Sequence, residues 1–446
     1  MLKLRNDKKD QITIYEAILP KEMFELDDEL KKVDQLLDDE SFFEPFTKRF
    51  STKTGRNTIP IESYLRLMYL KHRFNMGYET LVKEVSDSIK WRTFCHFTLD
   101  DPLPDPTSLI KATKRYGEDV VKEINDLLVK KASKRKIIRG RKLRIDTTVV
   151  EADIHHPTDA GLIADGVRVI TRTVEKLKKS GHVAAQDFRD RTRSIKKRLF
   201  KVSNILRRKS KGKKEQIHKI NAEMVSIAKE VLVSAKEVKY KISSESQPIA
   251  EKMDHYLDLL HQVICQTEEV LKGNTRIPNR VVSIFDPEAR PIKKGKLDKP
   301  VEFGRKLCLI ETEERIITEY ELYNGNPADT GLLAPTVKEH TRKYGKVPWA
   351  VAADAGFGSA DNRDMLTKMG VKRVSLPLRG RKNDPVVKQR WYKRLQRFRA
   401  GVEGTISVLK RQFGLDRSRY KGTAGSQVWT GLGIMSYNLR RIAQLM

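Results

Sequence analysis

Residues 143–151 read Leu-Arg-Ile-Asp-Thr-Thr-Val-Val-Glu. The alternation and the β-branched content are those of a strand. Upstream the period is helical. Residues 61–75 (IESYLRLMYLKHRFN) place Ile61, Tyr64, Leu65, Met68, Tyr69 and His72 on one stripe, and short helices are expected at 79–88, 90–97 and 108–130, the last after the proline stops of DDPLPDPT. Downstream, 306–324 (KLCLIETEERIITEYELYN) reads as two strands turning near Glu313 and Glu314. A helix at 329–343, a strand at 349–353, a helix at 360–370, a strand at 371–376, a basic helix at 386–413 and an apolar helix at 425–445 follow. That order predicts a mixed α/β domain with a central sheet.

Between the strand at 143–151 and the hairpin at 306 lie roughly 150 residues, mostly of helical period. Three apolar stripes run there, through Phe188, Ile195, Leu199, Val202 and Leu206, through Ile217, Ile220, Met224, Ile227 and Val231, and through Met253, Leu257, Leu260, Ile264 and Thr267. Breaks at 210–214 and 243–248 predict a hairpin or a three-helix coiled bundle. The organisation expected is a helical N-terminal domain at 1–130 and an α/β domain at 140–165 and 276–424. A helical insertion occupies 166–275, and a C-terminal helix at 425–446 packs on the α/β domain.

The 446 residues contain 89 Lys and Arg against 59 Asp and Glu, a formal charge of +30. Folding gains nothing from that excess, so a polyanionic partner is implied. The charge is clustered. Residues 130–144 hold nine Lys/Arg and no acid, 191–214 hold twelve and no acid, and 376–421 hold fourteen against three acids. Phosphate contacts made by such runs weaken steeply with salt. No apolar run reaches the ~18–20 residues of a membrane span, and the N-terminus has no secretory h-region. The three cysteines form neither a disulfide framework nor a C-x-x-C zinc pattern. The expectation is a reduced, cytoplasmic protein that does not enter a membrane.

Three acids stand out. Asp146 lies inside an apolar strand, where a carboxylate costs several kcal/mol unless it is paired or binds a cation. Asp354 ends a strand, the position where ligands sit in open α/β sheets. Glu403 lies on a helix that otherwise carries Arg397, Arg399, Lys410 and Arg411. Singly they read as a satisfied core acid, a helix cap and an i,i+4 partner. Together they meet one need, because two hard divalent cations ~3.5–4 Å apart require carboxylate oxygens from different elements.

The pattern resembles the DDE transposases of bacterial insertion sequences, whose catalytic domain is RNase H-like. The stretches that carry the resemblance are RIDTTVVEADIHHPTDAGLI (144–163), FDPEARPIKKGKLDKPVEFGRKLCLIE (285–311), AADAGFGSADNRDML (352–366) and RFRAGVEGTISVLKRQFGLDRSRYKG (397–422). Arg399, Glu403 and Lys410 match the Arg-Glu-Lys core of that family's C-terminal signature, with Gln396 where the family often has tyrosine. Residues 61–116 look like the helical N-terminal domain of the same transposases. The resemblance implies binding of double-stranded DNA, both element ends and target, and cutting and strand transfer in an active homo-oligomer. It implies two Mg²⁺, with Mn²⁺ as a substitute, held by Asp146, Asp354 and Glu403, Asp146 bridging both. Arg399 and Lys410 would face the DNA backbone near the cut. Lys142, Arg144, Arg397 and Arg411 are counted as further DNA contacts. Thr147 and Thr148 either shape the pocket or pack the sheet, and Asp286, Glu302 and Lys306 are structural or DNA-positioning.

Two rival classes fail on spacing. Gly356-Phe-Gly358-Ser-Ala-Asp361 lacks the third glycine of a dinucleotide-binding turn. His340-Thr-Arg342 lacks the His-x-x-Arg spacing of tyrosine recombinases. The alternative that stays is a DNA-binding descendant of a transposase that no longer cuts.

Overall fold

A computed structural model describes the chain apart from residues 7–13, 209–211, 242–246, 294–300 and 379–383. Residues 210–211 and 243–246 of the two breaks and 379–383 of the 376–421 basic run fall on those stretches and lie outside the described residues. The chain forms two compact units. The first joins 1–153 to 305–446, and the second is 154–304. The second is thus wider at both ends than the 166–275 insertion read from the sequence.

In the first unit, helices α1 (Asp28–Leu37), α2 (Ile61–Arg73), α3 (Tyr78–Asp87), α4 (Ile89–Phe94) and α5 (Pro106–Lys134) precede strand β1 (Lys142–Glu151). Local chemistry sets their ends. The Asp27 carboxylate accepts from Leu30 N at 2.8 Å, and Asp105 caps α5 at Thr107 N with Pro106 at the first helical position. Phe46, Tyr64 and Tyr116 meet edge to face in the core between them, with Tyr116 4.8 Å from Phe46 and 5.0 Å from Tyr64.

The second unit is built on α6 (Asp159–Lys179), α7 (Thr192–Arg207), α8 (Lys213–Tyr240) and α9 (Gln247–Leu271). The stripes read from the sequence meet in one core, through Ile195, Val202, Met224, Val231, Leu257, Leu260 and Ile264. The strand β2 (Arg290–Lys293), not expected from the sequence, pairs antiparallel with Val301–Gly304.

Those four residues begin β3 (Val301–Thr312), which continues into the first unit. There follow β4 (Ile317–Tyr323), α10 (Asp329–Tyr344), β5 (Ala350–Ala353), α11 (Ala360–Lys368), β6 (Arg373–Ser375), α12 (Arg390–Gln412) and α13 (Gly422–Leu445). The strands of this unit lie in the order β4-β3-β1-β5-β6, which in chain order is 3-2-1-4-5. The pair β3/β4 is antiparallel, while β1/β5 and β5/β6 are parallel. This mixed sheet has the RNase H-like character expected.

The pleat sorts the side chains onto two faces. Leu143, Ile145, Cys308, Ile310, Val351 and Ala353 face Leu333 and Val337 of α10 and Leu366 of α11. Leu307 and Leu309 point the other way, to Val402 and Leu409 of α12 and Ile434 and Tyr437 of α13. Helix α13 differs from expectation in its reach. Ile434 and Tyr437 touch the sheet, but Val428, Leu432, Met435, Leu439 and Ile442 complete the core of α1, α2 and α5.

Candidate active site

The parallel register of β1 and β5 ends with Ile145 beside Ala353. Asp146 and Asp354 are the next residues on each chain, so they stand side by side where neighbouring strands are ~4.8 Å apart. Since Ile145 and Ala353 face α10, both aspartates belong to the opposite face, the one α12 covers. Arg399, Glu403 and Lys410 step by four and seven along α12 and form one stripe. Arg399 Nη1 lies 3.1 Å from Glu403 Oε1 and 3.8 Å from Asp146 Oδ2, so one guanidinium nitrogen marks where the helix acid meets the strand acid.

A buried pair holds α12 in that place. Arg144 Nε donates to Glu311 Oε2 at 2.6 Å, and Arg144 Nη1 donates to the Phe398 carbonyl at 2.9 Å. Thr405 Oγ1 donates to the other Glu311 oxygen at 2.6 Å. Gly401 gives the helix its close approach, since a β-carbon there would collide with the Arg144 guanidinium. Gln396, standing where the related proteins often carry tyrosine, donates to the Ser375 carbonyl at 2.9 Å and the Ala353 carbonyl at 3.3 Å. It ties α12 to the ends of β5 and β6. Arg144 was expected to contact DNA. It is only 4% exposed and its donors face inward, so it positions the helix instead.

Burial and the neighbouring Asp354 and Glu403 push the Asp146 carboxyl up to about 6, against the lowering effects of Thr147 N–H and Arg399. Three carboxylates thus crowd one place with too little positive charge around them, and hard oxygen donors in such a set fit a divalent cation. They are neighbours rather than a closed shell, because Glu403 is exposed and leans on Arg399. The sign of the Asp146 shift gives a test. Its folded value exceeds the ordinary 3.8, so the proton's contribution to stability is complete below about pH 4 and lost as the pH rises through about 6. In EDTA, thermal melts across that window should show a falling contribution that Asp146→Asn removes.

On the far face the sequence reading missed Asp329. Its Oδ1 accepts from Thr147 Oγ1 at 3.2 Å and from Lys306 Nζ at 3.0 Å, and Lys306 also reaches the Pro327 carbonyl at 2.7 Å. A β-carbon on Gly356 would stand 2.8 Å from Asp329 Oδ2 and 2.9 Å from Asp354 Oδ1. Glycine therefore lets the backbone pass between two carboxylates. An aspartate opening a helix reads as a cap, so no sequence signal set Asp329 apart. Thr148 is buried in the sheet. Asp286 and Glu302 belong to the second unit, both buried. Arg397 and Arg411 are exposed, Lys410 is half-buried, and Lys142 pairs with Glu313 at 3.4 Å.

A different group, Asp34, Asp38 and His96, is the one among the described residues that brings three ligand atoms within 4.8 Å of one another. A guanidinium already fills it. Arg66 Nε and Nη2 each lie 2.7 Å from the Asp34 and Asp38 carboxylates, and His96 also meets Glu62 at 3.0 Å. This network ties α1 to α2.

Comparison with known proteins agrees with the geometry. Residues 19–115 match the family model described as a transposase domain, DUF772. Residues 282–439 match the transposase DDE domain, which takes in Asp354, Glu403 and the buried Glu311. The chain belongs to the insertion-sequence DDE transposases. Asp146 of this transposase lies outside both matched ranges and joins the site through the register of β1 and β5. The transposase is also similar, at 27% identity over 133 residues, to the uncharacterized protein ORF8 in the nfe locus of Rhizobium meliloti. That match covers 28% of the transposase and 64% of the relative. No solved structure matches the transposase.

Proposed function

We propose that this transposase binds the ends of its element as double-stranded DNA, cuts a strand there and joins it to target DNA. The side-by-side placement of Asp146 and Asp354, with Glu403 brought over them on α12, is the observation that supports this most strongly. The three carboxylates would hold two Mg²⁺, or Mn²⁺ in their place. When bound, these ions would activate a water or a 3′-hydroxyl and stabilise the leaving oxygen.

The chain's own residues supply position and charge. The Arg144–Glu311 pair keeps Glu403 over the strands. Arg399 places a positive charge between the acids and the incoming phosphate, and Lys410, Arg397 and Arg411 extend that charge along α12 for the DNA backbone. The helices before β1 would read the element ends, and the active assembly would be a homo-oligomer. Among the described residues no helix is long and apolar enough to cross a membrane. The test is strand cleavage on DNA carrying the inverted repeats that flank the element. Cleavage is expected in Mg²⁺ and Mn²⁺ and not in EDTA. Cleavage that persists in EDTA would refute the metal-dependent reading.

A further inference from the structure

The deeply buried cations of the first unit are answered by acceptors. Arg66 meets Asp34 and Asp38, Lys343 meets Asp126 and Glu319, Arg144 meets Glu311, and Lys306 meets Asp329. Lys71 on α2 is the exception. It is 2% exposed, and among the described residues its ammonium faces rings: Trp429 at 4.2 Å, Tyr78 at 4.8 Å and Tyr420 at 5.5 Å from the centroids. Burial, with the nearby Arg419 cation, pulls Lys71 down to about 7. Aromatic faces attract a cation but do not replace a counter-ion. A methionine would fill this place at less cost.

The amine borders a cavity of about 600 Å³. Tyr78, Tyr420 and Trp429 give it an aromatic wall, with the two tyrosine rings within 6° of parallel and 6.3 Å apart. Ile110 and Val428 add aliphatic surface. Lys71, Lys114, Arg419 and Lys421 are its charged lining residues, and no acid lines it. The indole N–H of Trp429 is taken by the Gly414 carbonyl at 2.8 Å, and that ring, 1% exposed, backs the Lys71 ammonium from the protein side. A ligand that satisfies this lining brings a negative group for the ammonium and a flat body for the rings. A nucleobase with its phosphate has both. A base within a duplex is stacked on its neighbours and cannot present its face.

We propose that this cavity takes one unstacked nucleotide of a DNA strand, with its base against Tyr78 and Tyr420 and its phosphate on Lys71 and Arg419. The proposal rests on the reading of the chain as a DNA-processing enzyme, but it concerns a site distinct from the three carboxylates. It is tested on the full chain in EDTA, where no cutting intervenes, by the anisotropy of a labelled short oligothymidylate. Lys71→Met should fold with an unchanged or higher melting temperature and bind the oligonucleotide about tenfold more weakly, while duplex binding hardly changes. Tyr420→Leu should show the same selective loss, so the test survives if one variant fails to fold. Equal binding of an abasic strand, or unchanged affinity in folded variants, overturns the proposal. Thymidine monophosphate that binds as tightly as the strand, and loses affinity in Lys71→Met, overturns it too, by making the site one for free nucleotides. None of these outcomes bears on metal-dependent cleavage, whose failure would show in the Mg²⁺ assay alone.

Discussion

Asp354→Asn is expected to give a folded chain that still binds element ends and has lost strand cleavage by ~10³-fold or more, some 4 kcal/mol of barrier. The same holds for Asp146→Asn. Each substitution keeps the shape and removes one negative charge from the set proposed to hold the cations. Glu403→Gln should behave alike. The measurement is cleavage of an end-bearing duplex in Mg²⁺, with binding followed separately by gel shift in Ca²⁺ or EDTA. Asp146→Asn also removes a buried charge beside Asp354 and Glu403, so its metal-free fold should be no less stable than the parent's at neutral pH. Retained cleavage in any one of the three variants would sink that residue's assignment. Loss of binding together with cleavage would indicate a folding defect instead.

Arg144→Ala should cost about 3–5 kcal/mol of stability, the usual penalty for leaving one partner of a buried pair uncompensated. Glu311 would remain in the sheet with the Thr405 hydroxyl and the more distant Arg315 to answer it, and burial already pushes its carboxyl up even with Arg144 present. The guanidinium also holds the Phe398 carbonyl, so α12 should shift and cleavage should fall with stability. The double variant Arg144→Met, Glu311→Leu separates the two effects. It removes both charges and should recover most of the stability, while cleavage stays low because the polar tie that sets α12 against β1 at Phe398 is gone. Urea denaturation and the cleavage assay read the two quantities. A single variant as stable as the parent would show that the pair contributes little.

Much of the fold and part of the site could be read from the residues. The change of period near residue 140 located the first strand, and the spacing of Arg399, Glu403 and Lys410 anticipated a stripe that the helix does present. Alternation exposed Asp146 and the strand end exposed Asp354. What stayed hidden depends on contacts between elements distant in the chain. Glu311 reads as the end of a hairpin strand until β3 lies beside β1. Arg144, one of nine cations in its run, looks like its neighbours until burial separates it from them. Four residues with a proline, Arg290–Lys293, carry too little pattern to announce β2. Lys71 falls outside the apolar stripe read on α2 and looks like one more cation until the rings of Tyr78, Tyr420 and Trp429 show what its ammonium faces.

Helix α13 joins the two halves of the first unit, since Leu432, Met435 and Leu439 finish the core of the N-terminal helices while Ile434 and Tyr437 lie on the sheet. The consequence is one of modularity. The N-terminal helices are not a cassette that can be exchanged on their own. A transplant of residues 1–134 would leave behind the last helix of its own core, and a chain shortened before residue 422 would disorganise the N-terminal helices and the sheet at once. Within such a scaffold the N-terminal helices can change through their surface residues, or through paired changes at both ends of the chain.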